Sequence, residues 1–226
     1  MRLLCVSDQV DPLVYSTSIR ERFKDVDAVL SAGDLPMEYL SFIASCLNKP
    51  LFFVFGNHNL AELSLYRPGF DDKVRQRGTF ESRERDRAHG ATYVGFRSRR
   101  DGGLIVAGLG GSMRYNKGLN QYTEAQMTMK ALSLVPALLW NRVFHGRAAD
   151  VILTHAPPSG IHDRHDPCHR GFRVFLWLMR TFKPRYLVHG HVHLYDMNDV
   201  RVSSYRDTTV VNAFGHCIVD TEDLDR

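Results

Sequence analysis

The sequence predicts an α/β fold organised around parallel strands, and three observations carry that expectation. Over the first sixty residues, short apolar runs alternate with helical patterns, as consecutive strand–helix units do. Those runs close in short polar groups, at Asp8, at Gly33-Asp34 and at Gly56-Asn57-His58, at the strand ends where ligands gather in such sheets. The composition, 44% hydrophobic and 24% charged over 226 residues, provides for a sizeable core.

The first apolar run is Arg2 to Ser7. A loop containing Pro12 follows, then a helix expected from Ser16 to Lys24 with Ser16 or Thr17 as its N-cap. Val26 to Ala32 is the second strand. Pro36 suits the first position of a helix, and Met37 to Leu47 carries the helical pattern. Leu51 to Phe55 is the third strand. Thr92 to Phe96 and Leu104 to Ala107 read as strands of a second sheet meeting in a hairpin at Asp101-Gly102-Gly103. Thr123-Glu124-Ala125-Gln126 predicts a capping box opening a long helix through roughly Phe144, with Pro136 kinking or splitting it. Val151 to Leu153 is a buried strand ending in Thr154-His155. Phe172 to Thr181 is a helix, and Tyr186 to Val188 a strand ending in His189-Gly190-His191. Thr208 to Asn212 and Cys217 to Val219 close the chain. With no linker and no repeat, residues 1–226 are expected to form one domain carrying a charged insertion at about 60–90.

The bulk properties exclude several classes. Apolar runs such as Leu51 to Phe55 are far shorter than the ~20 residues that span a bilayer. Polar Ser7, Asp8 and Gln9 interrupt the start before a signal-like apolar region forms, so a buried first strand fits better. Cysteines at 5, 46, 168 and 217 lack CxxC spacing and are read as reduced thiols of a cytoplasmic protein. The net charge is +4, and residues 67–100 hold ten Lys/Arg against five Asp/Glu. Such a segment either faces an anionic substrate or is a solvated insertion with interleaved charge. With little aromatic interleaving beyond Phe70, Phe80 and Tyr93 to stack on bases, a nuclease is a secondary reading.

Five polar groups each follow an apolar strand: Asp8, Gly33-Asp34, Gly56-Asn57-His58, Thr154-His155 and Gly190-His191-Val192-His193. Carboxylate, amide and imidazole groups on rigid strand ends can be held at the ~2.0–2.2 Å that metal bonds require. In an extended segment His191 and His193, two apart, would share a face.

This ordered set resembles the calcineurin-like metallophosphoesterase superfamily, with its DxH, GDxx, GNH, lone-His and GHxH motifs, from Asp8 to His193. The resemblance implies a four-layer α/β-β/α sandwich of two mixed β-sheets flanked by helices. It implies two divalent ions, Mn, Fe or Zn foremost. Asp34 would bridge them, with Asn57, His155 and His191 at one ion and Asp8 and His193 at the other. His58 would be the catalytic side chain at the leaving oxygen. The implied reaction is hydrolysis of a phosphate mono- or diester by a metal-bridging hydroxide.

Two positions depart from the motifs. Val10 stands where the family has a metal-binding His, leaving Gln9 or Asp11 as substitutes, and Asn59 stands where an acid usually follows the His. Val10 also motivates the alternative of a catalytically weakened binding or scaffold protein. In the polar segment 161–171, Arg164, His169 and Arg170 are expected to bind substrate phosphate or to form a hydrogen-bonded loop. Gly108-Leu109-Gly110-Gly111-Ser112 lacks the context of a dinucleotide fingerprint and reads as a tight turn. Leu132, Leu134, Leu138, Leu139 and Trp140 are core or interface, and His216 lacks motif support though it follows a strand end. The expected partner is a phosphorylated small molecule or another anionic substrate, with no membrane, and with nucleic acid possible but not favoured.

Overall fold

In a computed structural model of the chain, residues 1–66, 90–196 and 198–221 are described. Two mixed sheets lie face to face with helices outside each. The first sheet has the order β13-β1-β2-β3-β4, formed by Gly215–Asp220, Arg2–Ser7, Ala28–Ser31, Leu51–Phe53 and Thr92–Tyr93. β1 to β4 run parallel and β13 is antiparallel to β1. The second has the order β11-β12-β10-β9-β6-β5, from Val202–Tyr205, Thr208–Asn212, Tyr186–His189, Val151–Thr154, Leu104–Leu109 and Arg97–Asp101. Its central four strands are parallel and both edges antiparallel.

Alternation along each strand divides the core. Leu3 and Cys5 of β1 join Leu30, Phe52, Val106, Leu153 and Val188 between the sheets, while Leu4 and Val6 face outward to Ile19, Leu40 and Ile43. Both faces are buried, so the parallel strands are continuously apolar. The helices Met37–Leu47 and Ile19–Arg22 cover the first sheet, and Glu124–His145 and Arg173–Phe182 the second. This is the four-layer sandwich of two mixed sheets that the resemblance implied. Among the described residues, no helix is long and apolar enough to cross a membrane.

Several elements match their expected limits. Met37–Leu47 and Thr208–Asn212 coincide with them, and the Thr123/Gln126 capping box is present in both directions. Others differ for local reasons. The helix expected from Ser16 is the single turn Ile19–Arg22, because Tyr15 and Val14 donate back to the Asp11 carbonyl and hold the segment before it in turns. The hairpin at Gly102-Gly103 joins Leu104–Leu109 to Arg97–Asp101, a half-buried, charged edge strand. Thr92–Tyr93, expected in that hairpin, instead pairs with β3 in the first sheet. Residues 67–89, which hold most of the basic segment, lie outside the described residues. All four cysteines are free, and only Cys5 is fully buried.

Candidate metal centre

The site forms at the carboxyl ends of β1, β2 and β3 in one sheet and of β9 and β10 in the other. Asp8, Asp34 and His191 have φ of 63°, 57° and 67°, a left-handed conformation that costs free energy for residues with a Cβ and concentrates at functional sites. Each turn redirects a side chain at a strand end toward the seam between the sheets.

The donor atoms of Asp34, His155 and His191 lie within 4.8 Å of one another. His155 is completely buried, and its Nδ1 donates to the Ala32 carbonyl at 2.8 Å. Its Nε2 faces Asp34 Oδ2 at 3.3 Å and Asn57 Oδ1 at 3.2 Å. Asn57 donates through Nδ2 to the Tyr115 hydroxyl at 3.3 Å, which turns its amide oxygen inward. Two oxygens and a ring nitrogen thus converge on one point, and such a convergence of electron-pair donors calls for a cation, either a proton on Nε2 or a metal ion. Two ligands bound at ~2.1 Å to one ion stand about 3.0–3.4 Å apart, so these separations fit a shared metal.

His191 completes the donor set. Its Nε2 donates to the Cys168 carbonyl at 2.8 Å, leaving Nδ1 with its lone pair. Its ring lies 4.8 Å from that of His155. Burial and the adjacent His155 charge push its pKa down to about 3, so the ring is neutral, as a ligand must be. Burial alone would raise the pKa of Asp34, but the charge and hydrogen bond of His155 and the His58 backbone N–H hold it at about 2. Burial opposes protonation of His155, yet Asp34 and Asp8 raise its pKa to about 9. The donor set suits a divalent metal ion.

Asp8 lies beside this cluster. Both its oxygens accept from the His191 backbone N–H, at 3.1 and 2.9 Å. Burial raises its pKa against the pull of His155. His193 stands at the rim with Nε2 3.9 Å from Asp8 and its ring stacked on Phe214 at 4.8 Å. His191 and His193 do not share a face through strand alternation, as the two-residue spacing predicted, because the chain has left β10 and turned at His191.

Val10 packs against the outer apolar cluster. Neither expected substitute is turned to the centre as a free ligand: Gln9 is exposed, and the Asp11 carboxylate is taken by His216 Nδ1 at 2.6 Å and the Leu13 N–H at 2.8 Å. His216 is therefore the partner of Asp11. Asn59 donates to the backbone carbonyl of Asp34 at 2.9 Å, so it anchors the Asp34 turn.

His58 is exposed beside the cluster, its backbone N–H donating to Asp34 Oδ1 at 2.7 Å. His169 is held through Nδ1 by Asp166 at 2.9 and 3.0 Å, with its ring 5.3 Å from that of His191. Arg164 donates to the His193 carbonyl at 2.8 Å and stands 3.7 Å from Asp199. Arg164 and Arg170 also line, with Arg173 and His165, an open cleft of about 670 Å³. Two participants carried no motif signal, Tyr115 and the Cys168 carbonyl. A third, His189, directly precedes the glycine-histidine motif and is fully buried. It donates through Nδ1 to the Gly190 carbonyl and meets His162 Nδ1 at 2.9 Å, and His162 in turn meets the Ser203 hydroxyl at 2.8 Å.

Gly56 and Gly190 make this packing possible. A Cβ on Gly56 would collide with the Asp34 carboxylate and His155, and one on Gly190 with Ser7 and Asp8.

The model of one family, described as calcineurin-like phosphoesterase, matches residues 1–195. No curated protein matches the sequence significantly. One solved structure aligns over 98% of this chain and 95% of its own, at 15% identity and a TM-score of 0.64. A second, of a Thermus thermophilus protein, aligns over 95% of this chain and 89% of its own, at 13% identity and a TM-score of 0.54. At these identities the structures speak for the fold alone. The family match covers the segment that carries all five polar groups, from Asp8 to His193, and the chain belongs to the calcineurin-like phosphoesterase family.

Proposed function

We propose that this protein hydrolyses a phosphate ester with the help of divalent metal ions held by Asp34, Asn57, His155 and His191, and by Asp8 and His193 in the adjoining half. The observation that carries this reading is the convergence of Asp34 Oδ2, Asn57 Oδ1 and His155 Nε2 within 3.3 Å contacts, around a point where only a cation relieves the mutual repulsion of lone pairs. Ions bound there supply Lewis acidity toward the phosphoryl oxygens and lower the pKa of water, the two requirements of ester hydrolysis at neutral pH.

The chain's own groups do the remainder. Asp34 stays ionised across the physiological range and keeps one oxygen fixed by the His58 N–H, so the other points steadily inward. His58 is exposed next to this centre, where its imidazole can donate to the departing ester oxygen. His169, oriented by Asp166, presents its Nε2 to a phosphoryl oxygen, and Arg170 offers charge to an anionic substrate. Arg164 acts by bracing His193, since its guanidinium is committed to that carbonyl.

Metal analysis of the purified protein, combined with a panel of phosphomonoesters and phosphodiesters, tests the reading. Stoichiometric Mn, Fe or Zn together with metal-dependent turnover of one ester class supports it. Stoichiometric metal without hydrolysis of any ester would instead favour a weakened, binding-only protein, for which Val10 is the motivating residue.

A further inference from the structure

The helix Glu124–His145 is apolar on two opposite faces. Met127, Ala131, Leu134 and Leu138 are buried in the core outside the second sheet. Opposite them, Met129, Leu132, Leu139, Trp140, Val143 and Phe144 are 49–75% exposed. At about 100° per residue, these six fall within an arc of about 140° centred away from the buried row. The Trp140 and Phe144 rings pack together on this arc, their centroids 4.1 Å apart and their planes tilted by 36°. No charged residue occurs between Lys130 and Arg142. Lys130 itself turns inward, its ammonium 4.3 Å from the Phe96 ring and 4.7 Å from the Tyr122 ring. A surface helix normally carries a single apolar stripe, and one that is apolar all round is covered on all sides.

We propose that this second stripe is a homodimer interface, packed against the same stripe of a second copy across a twofold axis. Its area fits that occupant. Two aromatic side chains of ~150–250 Å² each and four smaller aliphatic ones, a little over half exposed, offer on the order of 600 Å². Ser133 and Pro136, exposed on the same face, bring the total toward the ~800 Å² per partner of a stable interface. The charge pattern fits as well. An uncharged face meets its own copy without setting like charges together, whereas an acidic or basic partner would find no complement on it. Helix faces of this kind interlock ridge into groove, and a twofold makes one patch sufficient for both partners. None of the metal-centre residues lies on this helix, so the interface is independent of the proposed reaction.

The chain contains two tryptophans, and Trp140, 62% exposed, reports directly on the stripe. The experiment combines sedimentation with the emission of Trp177→Phe, in which Trp140 is the sole tryptophan. At tens of micromolar the expected mass is twice the 25.8 kDa of the chain. On dilution to nanomolar the mass halves and the Trp140 emission shifts to the red. Leu139→Asp/Val143→Asp should weaken association by roughly 100-fold, with circular dichroism and ester hydrolysis unchanged. A monomer at every concentration with red, water-exposed emission overturns the proposal. So does a monomer whose Trp140 emission is already blue at nanomolar concentration, because the stripe would then be covered by the chain itself.

Discussion

His155 Nε2 lies 3.3 Å from Asp34 Oδ2, and both side chains are shut off from solvent. With Nδ1 committed to the Ala32 carbonyl, that nitrogen can meet the carboxylate only as an N–H donor or through a metal ion. Proton and metal therefore compete for one position. In the metal-free protein the His155 pKa rises from 6.5 to about 9, so its stabilising contribution is complete below pH 6.5 and is lost as pH rises through about 9. Metal affinity should show the reverse, strengthening as pH rises across that window, since binding releases the proton. Calorimetric titration of the apo protein between pH 6 and 9.5 checks both. An affinity independent of pH would show that the proton is not what the metal displaces.

Asp34 gives the complementary acid limb. Its pKa falls from 3.8 to about 2 on folding, so its contribution is present above pH 3.8 and disappears as pH falls through about 2. Asp34→Asn should remove this limb from the acid unfolding profile, lower bound metal and reduce turnover by ~10³-fold or more. His191→Ala should likewise strip metal while circular dichroism stays native, because both residues sit beyond strand ends. Full activity in either variant would remove the metal centre from the mechanism.

His58→Ala separates chemistry from metal binding. His58 hydrogen-bonds Asp34 through its backbone N–H, and Ala keeps that N–H. Turnover should drop by about 10²–10⁴-fold with metal content unchanged. Loss of stoichiometric metal in this variant would make His58 a ligand and overturn the division of labour.

Gly190→Ala tests how tightly the two sheets meet at the centre. An added Cβ would press on Ser7 and on the Asp8 carboxylate, which the next residue, His191, binds through its backbone N–H. The variant should lose metal affinity in the Asp8 half and be destabilised by about 1–3 kcal/mol, read by chemical denaturation. Wild-type stability and metal content would mean that the seam is looser than its contacts indicate.

The legible part of the site was its strand ends. Asp34, Asn57, His155 and His191 each follow a buried apolar run, so local periodicity placed them at strand ends and the family resemblance grouped them into one site. Tyr115 and the Cys168 carbonyl were not legible, because each acts across a long sequence separation, at Asn57 and His191 respectively, and a backbone carbonyl leaves no trace in residue type. The edge strand Arg97–Asp101 was missed for a related reason. Its exposed position tolerates charge, which removes the apolar alternation that marks a strand. Asp11 and His216, 205 positions apart, show the same limit: their pairing withdraws a carboxylate that sequence proximity had made a plausible ligand.

That withdrawal sharpens the expectation at Val10. Val10 faces the apolar cluster, Asp11 is committed to His216, and His162 is committed to His189 and Ser203. On the proposed two-ion reading, the Asp8 half would be left with Asp8, His193 and a share of Asp34, and the His193 side chain is 40% exposed with its Nε2 3.9 Å from Asp8. An ion there should bind more weakly than one at Asn57, His155 and His191. Dilute chelator should remove one ion first, and activity should then depend on added metal. Val10→His should raise occupancy by returning a nitrogen donor, at a cost of about 1–3 kcal/mol in stability from placing an imidazole where a Val packs. Two ions of equal affinity in the unmodified protein would refute the weak half-site and point to His169 or His165 of the neighbouring loop as a replacement ligand.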